Sequence, residues 1–169
     1  MTEKWVVIGI DGGIDTGLAL RVHGKSAVHR TTVRWPQDFS RTEQAHVCVK
    51  SLIYVMDWIE SHTPSDDYKF LFSAELFRQY EGSVSATPAT TSAQWIHAQM
   101  VAMFTYEYGQ RAHWCRFTAG TAKGSVTNER LRNLGLWERG RTVRHEMDAV
   151  RCLVLGEKKL GLRRNNRAN

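Results

Sequence analysis

Long apolar runs are missing from this 169-residue chain. No stretch approaches the ~18 residues that a membrane span requires, so no membrane role is expected. The first residues also lack the basic-then-apolar pattern of a secretory leader, which predicts a cytoplasmic protein. Cysteine is scarce: Cys48, Cys115 and Cys152 are odd in number, far apart and without a C-x-x-C pair. That argues against a disulfide framework or a zinc site and for reduced thiols in a core. Internal repeats and linker-like stretches are absent too, which excludes a solenoid and predicts one domain over residues 1–160 with a short basic tail over 161–169. What remains is an ordinary globular composition, 42% hydrophobic and 24% charged, long enough to bury a real core.

The net charge of +6 is unevenly spread. Residues 119–144 hold six basic side chains, among them Lys123, Arg139, Arg141 and Arg144, against Glu129 and Glu138. Residues 157–169 hold five basic side chains against Glu157, and the first 118 residues are close to neutral. Such clustering suits a phosphate polymer, although a basic tail alone can serve solubility.

Trp5–Ile10 is a continuous apolar run stopped by Asp11-Gly12-Gly13, as expected of a buried strand. Gly17–Val22 and Ala27–Val33 read as two further strands turned at His23-Gly24-Lys25. Helical spacing of apolar residues follows over Arg41–Ser61, then a second buried-type strand over Lys69–Leu76. Ser83–Ser92 reads as a loop, Ala93–Tyr108 as a helix and Ala112–Thr118 as a strand. A short helix over Val126–Leu134 ends at Gly135, and the last helix covers His145–Leu155. The order βββαβαβαα predicts an α/β fold with an antiparallel front end and a parallel continuation.

Four residues stand out against this frame. Asp11 ends the first strand, Glu75 ends the apolar run Phe70–Ala74, and His145 and Asp148 lie three apart on the last helix. Residues three apart on a helix differ by about 60° in azimuth, so His145 and Asp148 share a face. Glu146 lies about 160° from Asp148 and points elsewhere. A charge at the end of a buried strand is costly unless compensated. Three carboxylates gathered with a histidine would repel one another without a cation between them, and oxygen-rich ligands favour Mg²⁺ or Mn²⁺ over zinc. Each residue also has a plainer reading. Asp-Gly-Gly is a common hairpin turn, Glu75 can cap a segment or pair with Arg78, and acidic residues are favoured in a first helical turn. Asp15 is explained equally well by turn chemistry.

The motif Ile8-Gly9-Ile10-Asp11-Gly12-Gly13-Ile14-Asp15-Thr16-Gly17, then Glu75, then His145-Glu146-Met147-Asp148-Ala149, resembles the RuvC-type Holliday-junction resolvases of the ribonuclease H-like superfamily. Gly12 stands where that family usually has proline. The resemblance implies a mixed five-stranded sheet, three antiparallel strands and then parallel ones, flanked by helices. It implies that Asp11, Glu75, His145 and Asp148 hold two Mg²⁺ or Mn²⁺ ions for phosphodiester hydrolysis in branched DNA, above all four-way junctions. It also implies a phosphate-contacting lysine near Lys123, and an aromatic residue engaging bases near Phe77 or Tyr80. Arg139, Arg141 and Arg144 are the expected DNA-binding arginines. The compact chain, with six tryptophans, fits a bacterial or bacteriophage source.

Other functions remain to be weighed. A nuclease acting on flaps, forks or replication intermediates would use the same chemistry. Actin-like and sugar-kinase ATPases share an Asp-Gly-Gly loop, but they need two such domains to enclose a nucleotide. A junction-binding protein without cleavage is disfavoured, because anionic side chains near DNA weaken binding unless neutralised. Finally, the helix Ala93–Tyr108 is apolar around most of its circumference, which predicts a second buried face. A two-fold homodimer through that helix would supply one active site for each of two matched cuts, and the resemblance points the same way.

Overall fold

The computed structural model describes residues 3–36, 42–65, 67–76, 88–140 and 144–162. Five strands, β1 (Trp5–Asp11), β2 (Asp15–Val22), β3 (His29–Arg34), β4 (Lys69–Leu76) and β5 (Ala112–Thr118), form one sheet in the order β3-β2-β1-β4-β5. The first three pair antiparallel, whereas β4 and β5 run parallel to β1. The expected antiparallel front and parallel continuation are both present. The helices are α1 (Thr42–Ser61), α2 (Pro88–Tyr108), α3 (Ala119–Ser125), α4 (Asn128–Asn133) and α5 (Arg144–Lys159).

Alternation along the central strands divides the core into two. Val6, Ile8 and Ile10 of β1, with Leu18 and Leu20 of β2, pack against Leu52, Val55 and Ile59 of α1 and Ile96, Met100 and Phe104 of α2. Phe72, Phe104 and Trp114 stack there with ring centroids 4.8–6.3 Å apart. The intervening residues Val7, Ala19 and Leu71 face the other way, onto α5 and the neighbouring Ala122, Val126 and Leu131. This is the period-two logic of a sheet covered on both sides.

One expectation needs correction, and one helix was not expected. The proposed loop Ser83–Ser92 overlaps α2, which begins at Pro88. Proline at a first helical position has a preset φ and loses no intrahelical bond, so it starts this helix rather than preventing it. Residues 83–87 lie outside the described residues. The stretch after β5 is also a helix, α3, despite Gly120 and Gly124. Its start is capped by the Thr118 hydroxyl, which accepts a hydrogen bond from the Thr121 backbone N–H at 3.3 Å. The last helix runs past Leu155 to Lys159. Its far end is fixed by Arg21 Nη1, which lies 3.0 and 3.2 Å from the two carboxylate oxygens of Glu157.

Candidate active site

The strand register brings the first two carboxylates together. Ile10 lies opposite Ala74 in the parallel β1–β4 pair, and Asp11 and Glu75 are the next residues along the two strands. Neighbouring strands are about 4.8 Å apart, so side chains at matched positions on one face are adjacent. The face is that of α5. A Cβ added at Gly9, two residues before Asp11, would lie 2.0 Å from the Ala149 carbonyl oxygen. Ser73, two residues before Glu75, donates its hydroxyl to the Cys152 carbonyl at 2.5 Å.

The same close approach delivers the third carboxylate. A Cβ at Gly17 would lie 2.1 Å from the His145 carbonyl oxygen, so the first turn of α5 rests directly on the β1–β2 pair. Only residues without a side chain permit this contact, and glycines inside apolar strands often mark such an approach. His145 Nδ1 then sits 2.9 Å from Asp11 Oδ2. Asp148, one turn on, is buried with Asp11 and Glu75, each about 7% exposed.

Three buried carboxylates in one place are unfavourable, and the surroundings show how the charge is handled. Burial pushes the Asp11 carboxyl above its ordinary value, and Asp148 adds to the effect while His145 opposes it. Burial, reinforced by Asp11, does the same to Glu75 against the pull of Lys123. Asp148 has cationic partners. Lys123 Nζ is 3.4 Å from its Oδ2, and Arg151 Nη1 donates to its Oδ1. Glu75 is different: its Oε2 is buried with no hydrogen-bond partner among the described residues. An orphaned carboxylate oxygen beside a second raised carboxyl suits a hard divalent cation, so the donor chemistry fits the expected metal. Among the described residues, however, no three His, Cys, Asp or Glu side chains stand ready as a complete ligand cage. The carboxylate of Asp148 is instead turned to Arg151 and Lys123.

An open cleft of about 990 Å³ reaches the His145 and Asp148 side of this cluster. Lys123, Arg139 and Arg144 line it, as do His145 and Asp148. Phe77, Tyr80 and Arg141 lie outside the described residues, as does Arg78. Glu146 points away from the cluster, within 3.4 Å of the Thr32 hydroxyl on β3. Asp15 is 3.7 Å from Arg34 on the neighbouring strand, an exposed pair at the turn.

Sequence reasoning missed Arg151. It is only 9% exposed and makes three contacts: to Asp148, to the Val126 carbonyl through Nε at 3.1 Å, and to the Asn128 side chain through Nη2. The available signal was a lone arginine inside the apolar stretch Ala149–Leu155, three residues after Asp148. Trp137 was missed as well; it lines the cleft with the Arg132 and Arg151 guanidinium carbons 5.3 and 5.9 Å from its ring. No protein-family model matches the chain, and comparison with curated proteins finds no match.

Proposed function

We propose that the protein is a Mg²⁺- or Mn²⁺-dependent endonuclease of ribonuclease H-like fold that cuts branched DNA, with four-way junctions as the leading substrate. The observation that carries this reading is the cluster of Asp11, Glu75 and Asp148, all buried, with Asp148 on the wall of a cleft that Lys123, Arg139, Arg144 and Arg151 line against Glu129 and Glu138, and with one Glu75 oxygen left without a partner among the described residues. The strand order β3-β2-β1-β4-β5, with carboxylates on β1, β4 and the last helix, supports the fold assignment that the sequence motifs suggest.

The chain's own groups take distinct parts. Asp11 and Glu75 offer oxygens for a divalent ion, and the His145 ring, 2.9 Å from Asp11, fixes one of those carboxylates in orientation. The chemistry expected of an ion bound there is activation of a water and stabilisation of the leaving 3′ oxygen. Lys123 is half-exposed at the cleft and adjoins Asp148, a position suited to meeting the scissile phosphate. Arg139 and Arg144, exposed along the cleft, supply backbone contacts that carry affinity without reading sequence. Reversing the charge of both is expected to flatten the salt dependence of binding by ~0.9 log–log units per lost phosphate contact.

A homodimer through α2 belongs to the same proposal. Ile96, Met100 and Phe104 point into the core, whereas Ala98, Ala102 and Tyr106 remain on the outer side of the helix with Trp95. Tyr106 is 88% exposed, so the expected second apolar side is not covered within one chain. Sedimentation at micromolar concentration tests this: a species of twice 19.3 kDa supports the dimer, and a single monomeric species refutes it.

The nuclease itself is tested by incubating a labelled four-way junction, a flap and a linear duplex with the protein, with and without Mn²⁺. Paired cuts in the junction that require the ion support the reading. Equal cutting of junction and flap favours the broader structure-selective nuclease, and tight binding without cutting favours a junction-binding protein.

A further inference from the structure

Arg151 occupies a position that bears on how many ions the carboxylate cluster can take. It is buried, held at three points, and set against Asp148 from within the same helix. Its guanidinium remains charged at any pH at which the protein folds. Lys123 adds a second positive charge at the other oxygen of Asp148. The three carboxylates thus face two resident cations, and the cluster is left with a net charge of about one negative. One divalent ion reverses that to one positive. Two would leave three positive charges gathered on these side chains, a costly arrangement.

The distribution of partners points to where one ion would sit. Both oxygens of Asp148 have cationic neighbours, whereas among the described residues Glu75 keeps a buried oxygen without a partner. Asp11, next to Glu75 across the β1–β4 pair, has only His145 as its polar side-chain neighbour at hydrogen-bond distance among the described residues.

We propose that Arg151 is a resident cation of this cluster: with Lys123 it neutralises Asp148, so that each chain takes one divalent ion, at Asp11 and Glu75, where the motif resemblance implies two. The guanidinium does more than balance charge. Through Val126 and Asn128 it ties the segment between α3 and α4 to α5, and α3 is the helix that carries Lys123. Arg151 is therefore a positioning residue for Asp148 and for the lysine beside it.

This inference rests on the metal-dependent reading above, and its test separates the two. The full chain, stripped of metal with a chelator, is titrated with Mn²⁺ alone by calorimetry, and the Mn²⁺ electron spin resonance is recorded at saturation. About one ion per chain without a coupled two-ion signal is expected. Two ions per chain with spin coupling would overturn the role of Arg151 while leaving the nuclease reading intact. Absence of Mn²⁺ binding would overturn both. The variant R151Q is expected to raise the stoichiometry from one ion to two, and an unchanged value of one in folded R151Q would also count against the proposal. Should R151Q fail to fold, Lys123→Gln decides alongside the wild type. Lys123 is exposed, so its loss is tolerated, and a severalfold tighter first Mn²⁺ site is expected. Weaker Mn²⁺ binding by that variant would contradict the charge balance.

Discussion

The two faces of the central sheet are made from different materials. Toward α1 and α2 the strands present Ile8, Ile10, Leu18, Leu20, Phe70 and Phe72, large side chains that fill the space between layers. Toward α5 they present Gly9, Gly17, Ala19 and Ser73 between Val7 and Leu71, and at the glycines the helix backbone lies almost on the strands. The first face stabilises the fold by burial. The second gives up much of that burial and gains a short, fixed distance between strand ends and a helix. That distance is what gathers Asp11, Glu75, His145 and Asp148. Large-side-chain burial and the candidate site are thus assigned to opposite sides of one sheet.

The sharpest way to break this contrast is to add a side chain on the close face. Gly9→Val would push atoms into the Ala149 carbonyl and the Leu153 backbone, neither of which can move without lifting α5. Loss of a cooperative thermal transition is expected. A melting temperature within a few degrees of wild type would show that the helix does not lie where described.

The opposite face answers to volume. Phe72 is fully buried and stacks on Phe104 and Trp114, with centroids 4.9 and 4.8 Å away. Phe72→Ala should cost about 3–5 kcal/mol by urea denaturation, through lost transfer energy and the cavity left behind. Under the proposed nuclease reading, the protein that remains folded should still cut DNA, because the carboxylates lie across the sheet. Cleavage lost in proportion beyond the unfolded fraction would mean that the two faces are coupled.

Smaller effects, of the other sign, are expected at the site. Burial raises the carboxyls of Asp11 and Glu75 and so disfavours their charged forms. Glu75→Gln or Asp11→Asn should therefore raise the stability of the metal-free protein, by roughly 0.5–2 kcal/mol as is usual when a functional site is relaxed. A lowered melting temperature would indicate that these carboxylates are structural. The pH dependence follows from the same cause. Both carboxyls are raised in the fold, so the folded chain binds more protons than the unfolded one once pH passes ordinary carboxylate values of about 4. Stability contributed by their protonated forms is then present at low pH and lost as pH rises through the raised values. Thermal melts of the metal-free protein should show this fall above about pH 4, and Mn²⁺ should diminish it. Equal slopes for wild type and Glu75→Gln would remove Glu75 from the account.

Much of the fold was legible because apolar runs and helical spacing report burial directly. Trp5–Ile10 and Lys69–Leu76 needed both faces covered, and both are inner strands of the sheet. The acidic positions were legible for the opposite reason, since Asp11 and Glu75 interrupt buried runs where charge is costly. What was not legible depends on contacts distant in sequence. Arg151 reads as one more basic residue until Asn128 and the Val126 carbonyl close around it. Helix α3 was hidden because its two glycines outweigh its single threonine cap in local propensity. The significance of Gly9 also emerges only once Ala149, 140 positions later, is packed on top of it.

The central claim is that the buried carboxylates serve a metal-dependent cut in DNA, and Glu75→Gln tests it most directly. Wild type and this variant are incubated with a labelled four-way junction in the presence of Mn²⁺, at protein concentrations that saturate binding. The account predicts that the variant binds the junction as the wild type does and loses nearly all cleavage. Undiminished cutting by Glu75→Gln would contradict it.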